Sequence, residues 1–466
     1  MLGFRKTAAS TIRLATVALA FALLIGPAPA AQTGQQGQQP GQHWVGTWAT
    51  APVARPTYPP GAAAPTGPGS AAPVSINNRT LRQIVHVSIG GERVRVVFSN
   101  VFGTAPLAVA AASVALAGSE ATIQPKSSRV LTFNGRTGAT IPPGAVMISD
   151  AVALSVPSFA DLAIDLYLPE AATGLGSPLT VHNAARQTNY ISTEGNHAGV
   201  RSLPQPEATP SWFFLSRVEV TAPEKTGAIV LFGDSITDGF NSTIDANNRW
   251  GDVLARRLRD ATGRAETGIL NLGIDGNQVL KSGSGVSALA RFDRDVLAQP
   301  GATHVVLLEG INDLGFAGMA SQAPPTLADL QSGHLQLVAR AHARGLRIIG
   351  ATLLPYEGTA FPGYYSEKDD ATREAFNQWI RTSGAYDGVI DFDAVVRDPS
   401  HPSRVLERYD SGDHLHPNDA GYAAMANAVD LALLRSESAR RGGPAAFLPA
   451  APVPVVQAAS IASAGR

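Results

Sequence analysis

Residues in widely separated blocks of this chain could together carry out acyl transfer. Ser235 stands in Gly233-Asp234-Ser235-Ile236-Thr237-Asp238-Gly239, directly after the apolar run Ala228-Ile229-Val230-Leu231-Phe232. That run reads as a buried parallel strand, and the carboxyl end of such a strand is where open α/β sheets place their chemistry. Asn271-Leu272-Gly273 and Gly310-Ile311-Asn312-Asp313 follow, and far downstream lies Asp413-His414-Leu415-His416. A serine hydroxyl is a poor nucleophile until a base takes its proton. His416 is the candidate base, with Asp413 holding one ring nitrogen while the other faces Ser235. The negative charge of a tetrahedral intermediate needs preorganised donors. The backbone N–H groups of Ser235 and Gly273 and the side-chain amide of Asn312 are the candidates. Each has a plainer reading: Ser235 as a helix cap, Gly273 as a turn glycine, Asn312 as an Asx-turn or cap.

Rivals are close at hand. Alternation along a short extended segment puts His414 and His416 on the same side, and Asp410 competes more weakly with Asp413. Block spacing and the following Pro417-Asn418-Asp419-Ala420-Gly421-Tyr422 favour His416. Asp413, His414 and His416 could instead ligate a metal, but the serine system leaves a metal without a task. The expectation is therefore no metal and no cofactor. Asp234 is expected to brace the serine's loop through backbone hydrogen bonds. Asp238, Asn277 and Glu309 are supporting candidates by position alone. Trp250 and Phe316 either line a pocket or pack in the core. The polar stretch Asp245 to Arg249 either meets substrate or starts a helix.

These blocks resemble the SGNH (GDSL-type) hydrolase family, named for a Ser, a Gly, an Asn and a His in separate blocks. Here they fall on Ser235, Gly273, Asn312 and His416, with Asp413 three residues before the His. The resemblance covers roughly residues 226–436, with no departure in the four blocks. Ser242 to Trp250 and Leu308-Glu309-Gly310-Ile311-Asn312-Asp313 look like the branch of arylesterases and acylhydrolases found in xylan-degrading bacteria. The resemblance implies a three-layer, flavodoxin-like fold and an acyl-enzyme on Ser235. It also implies short acyl esters, such as acetyl on an alcohol, aryl or sugar group. An acyltransferase with the same site is one alternative. A carbohydrate-binding protein with a vestigial hydrolase domain is another, against which the intact Ser, Gly, Asn, Asp and His argue.

The elements that must position these residues fall into two halves. Residues 44–220 alternate in strand fashion: Leu81 to Ile89, then Val94, Val96 and Phe98, then Leu162, Ile164, Leu166 and Leu168. Gly90-Gly91 between the first two runs is a hairpin signal. Asn100-Val101-Phe102-Gly103 and Ile141-Pro142-Pro143-Gly144 mark turns. Short strands with frequent turns suggest an all-β sandwich or jelly roll, with 54–73 as a long loop. From 226 to 436, strand-like runs (228–232, 267–272, 303–308, 346–352, 388–392) alternate with helical ones (249–262, 286–298, 326–344, 370–383, 419–435). That alternation predicts an α/β domain, a parallel sheet with helices on both faces.

The chain has 36 Lys and Arg against 37 Asp and Glu, a formal net charge of −1 with no dense basic block. Nucleic acid is therefore not an expected partner; a small-molecule or saccharide acyl ester is. There are no cysteines, so stability must come from core burial rather than disulfides. Arg5, Lys6 and Arg13 precede an apolar core, Leu14 to Ile25, and then Ala28-Pro29-Ala30. This reads as a signal peptide over 1–30, too short to span a bilayer comfortably. Cleavage near Ala30 would give a secreted or periplasmic chain without a stable membrane span. Residues 31–43 read as a low-complexity linker and 440–466 as a disordered tail.

Overall fold

The computed structural model describes residues 41–57, 74–169, 176–263 and 266–435. The expected signal peptide, most of the expected linker, most of the 54–73 loop and the expected tail lie outside the described residues. The first strand, Gln42–Ala49, already begins inside the expected linker.

The first half is built from antiparallel sheets. One has the path 42–49, 215–223, 91–99, 152–156, with 146–148 also paired to 91–99; a second runs 207–209, 189–194, 79–86, 161–168, 111–116, 129–131. Val94, Val96, Phe98, Val218 and Val220 of the first sheet and Leu81, Val85, Leu162 and Ile164 of the second enter one apolar core. The alternation expected for 161–168 is present, but its other face is covered too. Ile84, Ala115 and Ala163 form a second small core there. Beside it the fully buried Arg82 grips Asp165 with Nε–Oδ1 at 2.7 Å and Nη2–Oδ2 at 2.8 Å. Nη1 and the second N–H of Nη2 donate to Ala121 O and Val200 O. Removing one partner of such a pair strands a buried charge, at a cost of about 3–5 kcal/mol.

The hairpin expectation at Gly90-Gly91 fails. Strand 79–86 pairs with 161–168 and 189–194, while strand 91–99 pairs with 215–223 and 152–156. The chain crosses between sheets instead of turning back within one. The two glycines serve close approach, because a Cβ on Gly90 would meet Val156 O at 2.2 Å and one on Gly91 would meet Thr221 O at 2.6 Å. The 100–103 and 141–144 turns do form. Gly103 N donates to Asn100 O, and Asn100 Nδ2 bonds Ile141 O, tying the two turns together.

The second half is a five-stranded parallel sheet. Its strands are Gly227–Gly233, Thr267–Gly273, Ala302–Leu308, Arg347–Ala351 and Gly388–Ile390. Counted along the chain, their order is 2-1-3-4-5, the flavodoxin-like order. The register sets Gly233 beside both Gly273 and Leu308. The loops bearing the first three sequence blocks therefore leave the sheet at one level. The helices lie near their expected places, with shorter or shifted ends. The 286–298 run divides into a helix, Ala288–Phe292, and a π-turn, Asp293–Leu297. The 370–383 helix starts a turn earlier, at Glu367, because Ser366 Oγ caps the N–H of Asp369. The last helix, Asp419–Ala428, stops where Val429 turns extended. Helix Ile311–Met319 had no counterpart among the expected elements.

From Gly41 onward the described residues pack as one compact unit. Strand Gln42–Ala49 lies against strand Thr267–Gly273, and Ser88 Oγ accepts the N–H of Ile269 at 2.9 Å. The main apolar core runs through both halves without a break.

Candidate active site

Strand Gly227–Gly233 ends directly before a single helical turn, Ser235–Asp238. Asp234, not Ser235, is its N-cap: Asp234 Oδ1 accepts the N–H of Ile236 at 2.9 Å. This fulfils the bracing expected of Asp234 and frees the Ser235 hydroxyl from capping duty. Ser235 Oγ lies 2.8 Å from His416 Nε2, and His416 Nδ1 lies 2.7 Å from Asp413 Oδ2. The Asp413 carboxylate only accepts, so His416 carries its proton on Nδ1, and the serine hydroxyl donates to Nε2. Both Ser235 and His416 are buried.

Asp413 is held from several sides. Its Oδ1 accepts the backbone N–H groups of Leu415 and His416 at 3.0 and 2.8 Å. Its Oδ2 also accepts Asn241 Nδ2 at 2.9 Å. Partial burial alone would raise this carboxyl, but the hydrogen bonds and charge of His416 with these N–H groups hold it well below the usual carboxylate range. Asn241 was not singled out from the sequence; it lies three residues past the helical turn Ser235–Asp238, and nothing in its local pattern marks it.

His414 goes elsewhere. Its φ of 56° breaks the alternation that would have put it beside His416. Its Nδ1 bonds Asp410 Oδ2, and its ring is more than half exposed. The two rival pairs thus separate into Asp413–His416 and Asp410–His414. Among the described residues, no group of three His, Cys, Asp or Glu is arranged to hold a metal ion.

The expected donors for a developing oxyanion differ in how they are engaged. The N–H of Gly273 donates to Asn271 Oδ1 at 3.0 Å and is already taken. The N–H of Gly276, three residues on, has no hydrogen-bond partner among the described residues, and neither has that of Ser235. Asn312 lies inside helix Ile311–Met319, whose N-cap is Gly310, so it is neither an Asx-turn nor a cap. Its Nδ2 donates to Asn277 O at 2.9 Å, and its Oδ1 accepts Tyr364 Oη at 2.8 Å. Those two bonds fix the amide's orientation and leave one N–H of Nδ2 to spare. Tyr364 reaches Asn312 because its ring lies on Gly315, where a Cβ would stand 2.2 Å from the ring. Neither Tyr364 nor Gly315 was legible beforehand, since the contact joins segments far apart in sequence.

Behind these loops sits a buried charged group. Arg291 donates to Gly233 O, Leu272 O and Asn277 Oδ1 at 2.7–2.8 Å, pinning the ends of two strands and the following loop. Glu309 pairs with Arg291 at 3.5 Å. Asp313 accepts the N–H groups of Val279 and Leu280 at 2.8 and 3.0 Å. Burial raises Asp234 to about 7 and Asp313 to about 6, and pushes Glu309 well above its usual value.

The remaining candidates settle as follows. Trp250 is fully buried against Phe392 and belongs to the core. Phe316 is partly buried, packs edge-on to Tyr364, and lines a surface groove with Leu280, Ala317 and Pro325. Arg249 is the residue before helix Trp250–Thr262, and Asp245 binds Gln187 and Thr188. That polar stretch is engaged within the protein. Phe240 and Phe361 both face the ring of His416, at 4.5 and 6.4 Å between centroids.

Residues 231–424 match the GDSL-like Lipase/Acylhydrolase family. This region is a GDSL-like lipase/acylhydrolase domain. Set on this GDSL-like domain, the site makes the chain a carboxylic ester hydrolase. Similar solved structures include a lipolytic G-D-S-L protein of Desulfitobacterium hafniense, 22% identical over 44% of this chain and 97% of that one, TM-score 0.33. Others are an inhibitor-bound aryl esterase of M. smegmatis (15%, 43% and 95%, TM-score 0.35) and the carbohydrate acetylesterase Est24 of Sinorhizobium meliloti (14%, 44% and 96%, TM-score 0.34). No curated protein matches the sequence.

Proposed function

We propose that this protein is an exported serine esterase that cleaves short acyl groups, such as acetyl, from alcohol, aryl or sugar moieties. The observation that carries the reading is the buried run of hydrogen bonds from Ser235 Oγ through His416 to Asp413. Ser235 Oγ attacks the ester carbonyl carbon while its proton passes to His416 Nε2. The carbonyl π pair moves onto oxygen, where the N–H of Ser235 and the spare N–H of Asn312 receive the charge. Collapse re-forms the carbonyl, breaks the bond to the alcohol oxygen, and returns the proton from His416 to that oxygen. Water then repeats the sequence on the acyl-enzyme, releasing the acid and restoring Ser235. Asp413 stays ionised throughout and steadies the imidazolium.

Phe240 and Phe361, both facing His416, support a confined approach and hence a small acyl group. The basic start, apolar core and Ala28-Pro29-Ala30 support export, with the mature chain beginning at Ala31. N-terminal sequencing of protein from the culture medium or periplasm checks that start. Kinetics on p-nitrophenyl acetate test the chemistry. Ser235→Ala folds and loses turnover by roughly 10⁴–10⁶, and a chelator leaves the wild type unchanged. Near-wild-type turnover by Ser235→Ala would refute the mechanism. A panel of p-nitrophenyl esters and acetylated xylans then ranks acyl length and leaving group.

A further inference from the structure

The first half of the chain reaches the serine's helical turn through one imidazole. His182, at the end of strand Leu179–His182, is buried, with Nδ1 3.0 Å from Ala51 O and Nε2 3.0 Å from Asp238 Oδ1. A carbonyl only accepts, and so does a carboxylate. Both ring nitrogens therefore donate, and the ring is an imidazolium paired with the Asp238 carboxylate. Burial works against that charge, but Asp238 and the Ala51 carbonyl outweigh it and raise the imidazole above its ordinary value. The ring has little freedom to swing. It lies 5.4 Å from Trp212, which packs edge-on to Trp48 and donates its Nε1–H to Ile84 O at 2.9 Å.

Asp238 closes the helical turn that Ser235 opens. Its backbone also packs closely on Gly273, where a Cβ would stand 2.3 Å from Asp238 N. Burial and the neighbouring Asp238 charge raise Asp275 well above the usual carboxylate range, while His182 and Arg186 oppose this from nearby. Asp275 Oδ1 is enclosed and has no hydrogen-bond partner among the described residues. The next residue is Gly276, with its unpaired N–H, and then Asn277, whose carbonyl takes the Asn312 amide. Contacts thus join Ala51 and His182 to Asp238, and through Asp238 the Ser235 turn to the strand end at Gly273.

We propose that His182 is a positioning residue for the esterase reaction, holding the Ser235 turn, through Asp238, in register with the strand end at Gly273. The proposal rests on the serine-esterase reading. It gives the β-rich half a part in catalysis, with no contact to substrate.

The test is a mutant cycle on the full chain, with p-nitrophenyl acetate as substrate and thermal melts alongside. His182→Ala lowers kcat about tenfold to a hundredfold, the scale of a misplaced catalytic group, with KM within about threefold. In an Asn312→Ala background the same substitution costs markedly less, because both act on one donor set. His182→Gln, which still donates to Asp238, recovers part of kcat. Should His182→Ala fail to fold, the cycle on His182→Gln decides. An equal loss in both backgrounds, or a lowered melting temperature with wild-type kcat, would make His182 a structural staple and overturn the proposal. Ser235→Ala is the control. If it retains activity, the esterase reading itself fails; if it is dead while His182→Ala turns over like wild type, only the positioning role fails.

Discussion

Two Asp–His pairs sit within seven residues of each other and have opposite surroundings. In Asp413–His416 the imidazole is buried, faces Ser235, and rests on a carboxylate that three further N–H donors hold. In Asp410–His414 the imidazole points outward, with its ring mostly exposed. The residue types are the same and so is the acid–base contact. What differs is one backbone angle, the positive φ of His414, which turns that ring away from the cleft. A triad is therefore defined by what the far nitrogen of the histidine meets, and not by the presence of an Asp–His contact.

Substitutions can break that comparison in order of effect. His416→Ala removes the base and lowers kcat on p-nitrophenyl acetate by roughly 10⁴–10⁶. Asp413→Asn leaves a partner for the ring but favours the wrong tautomer, for a loss of roughly 10⁴. Asn312→Ala lowers kcat by about 10²–10³ with a smaller change in KM, because its amide acts on charge that exists only during reaction; a change confined to KM would make it a binding residue. His414→Ala stays within about threefold of wild type, as expected for an exposed side chain outside the reaction. Equal losses at His414 and His416 would erase the distinction drawn here.

The helical run 249–262 and the parallel strands were legible because each combines a clear hydrophobic period with a short connection. Ser235, Asn312, Asp413 and His416 were legible because each follows a strand-like run or a turn of recognisable spacing. The bond from the Gly273 N–H back to Asn271 Oδ1 was not, because the Asn271-Leu272-Gly273 block marks the strand's end and not where its donors point. Gly90-Gly91 misled because a paired glycine signals a tight turn as readily as close backbone packing. Asn241, Tyr364 and Arg291 act through tertiary contacts across the sheet ends, and no local pattern encodes such contacts.

The smallest effects concern stability. Asp413 has a depressed folded-state value. It contributes stability above the unfolded carboxylate value of about 4, and that stability is lost as pH falls through the folded value. Asp234 runs the other way. Its folded value of about 7 lies above the unfolded one, so its stability is present in acid and declines as pH rises from about 4 through 7. Thermal melts across this range check both signs. Asp413→Asn narrows the loss on acidification, and Asp234→Asn, which can still cap Ile236, flattens the decline toward neutrality.

The most direct measurement is to label the wild-type enzyme with a serine-directed phosphonate and locate the adduct by peptide mass spectrometry. The adduct is expected on Ser235, at one per chain, in step with loss of esterase activity, and absent from both Ser235→Ala and His416→Ala over the same time. Inactivation with the label on another residue, or undiminished labelling of His416→Ala, would contradict a nucleophile at Ser235 activated by His416.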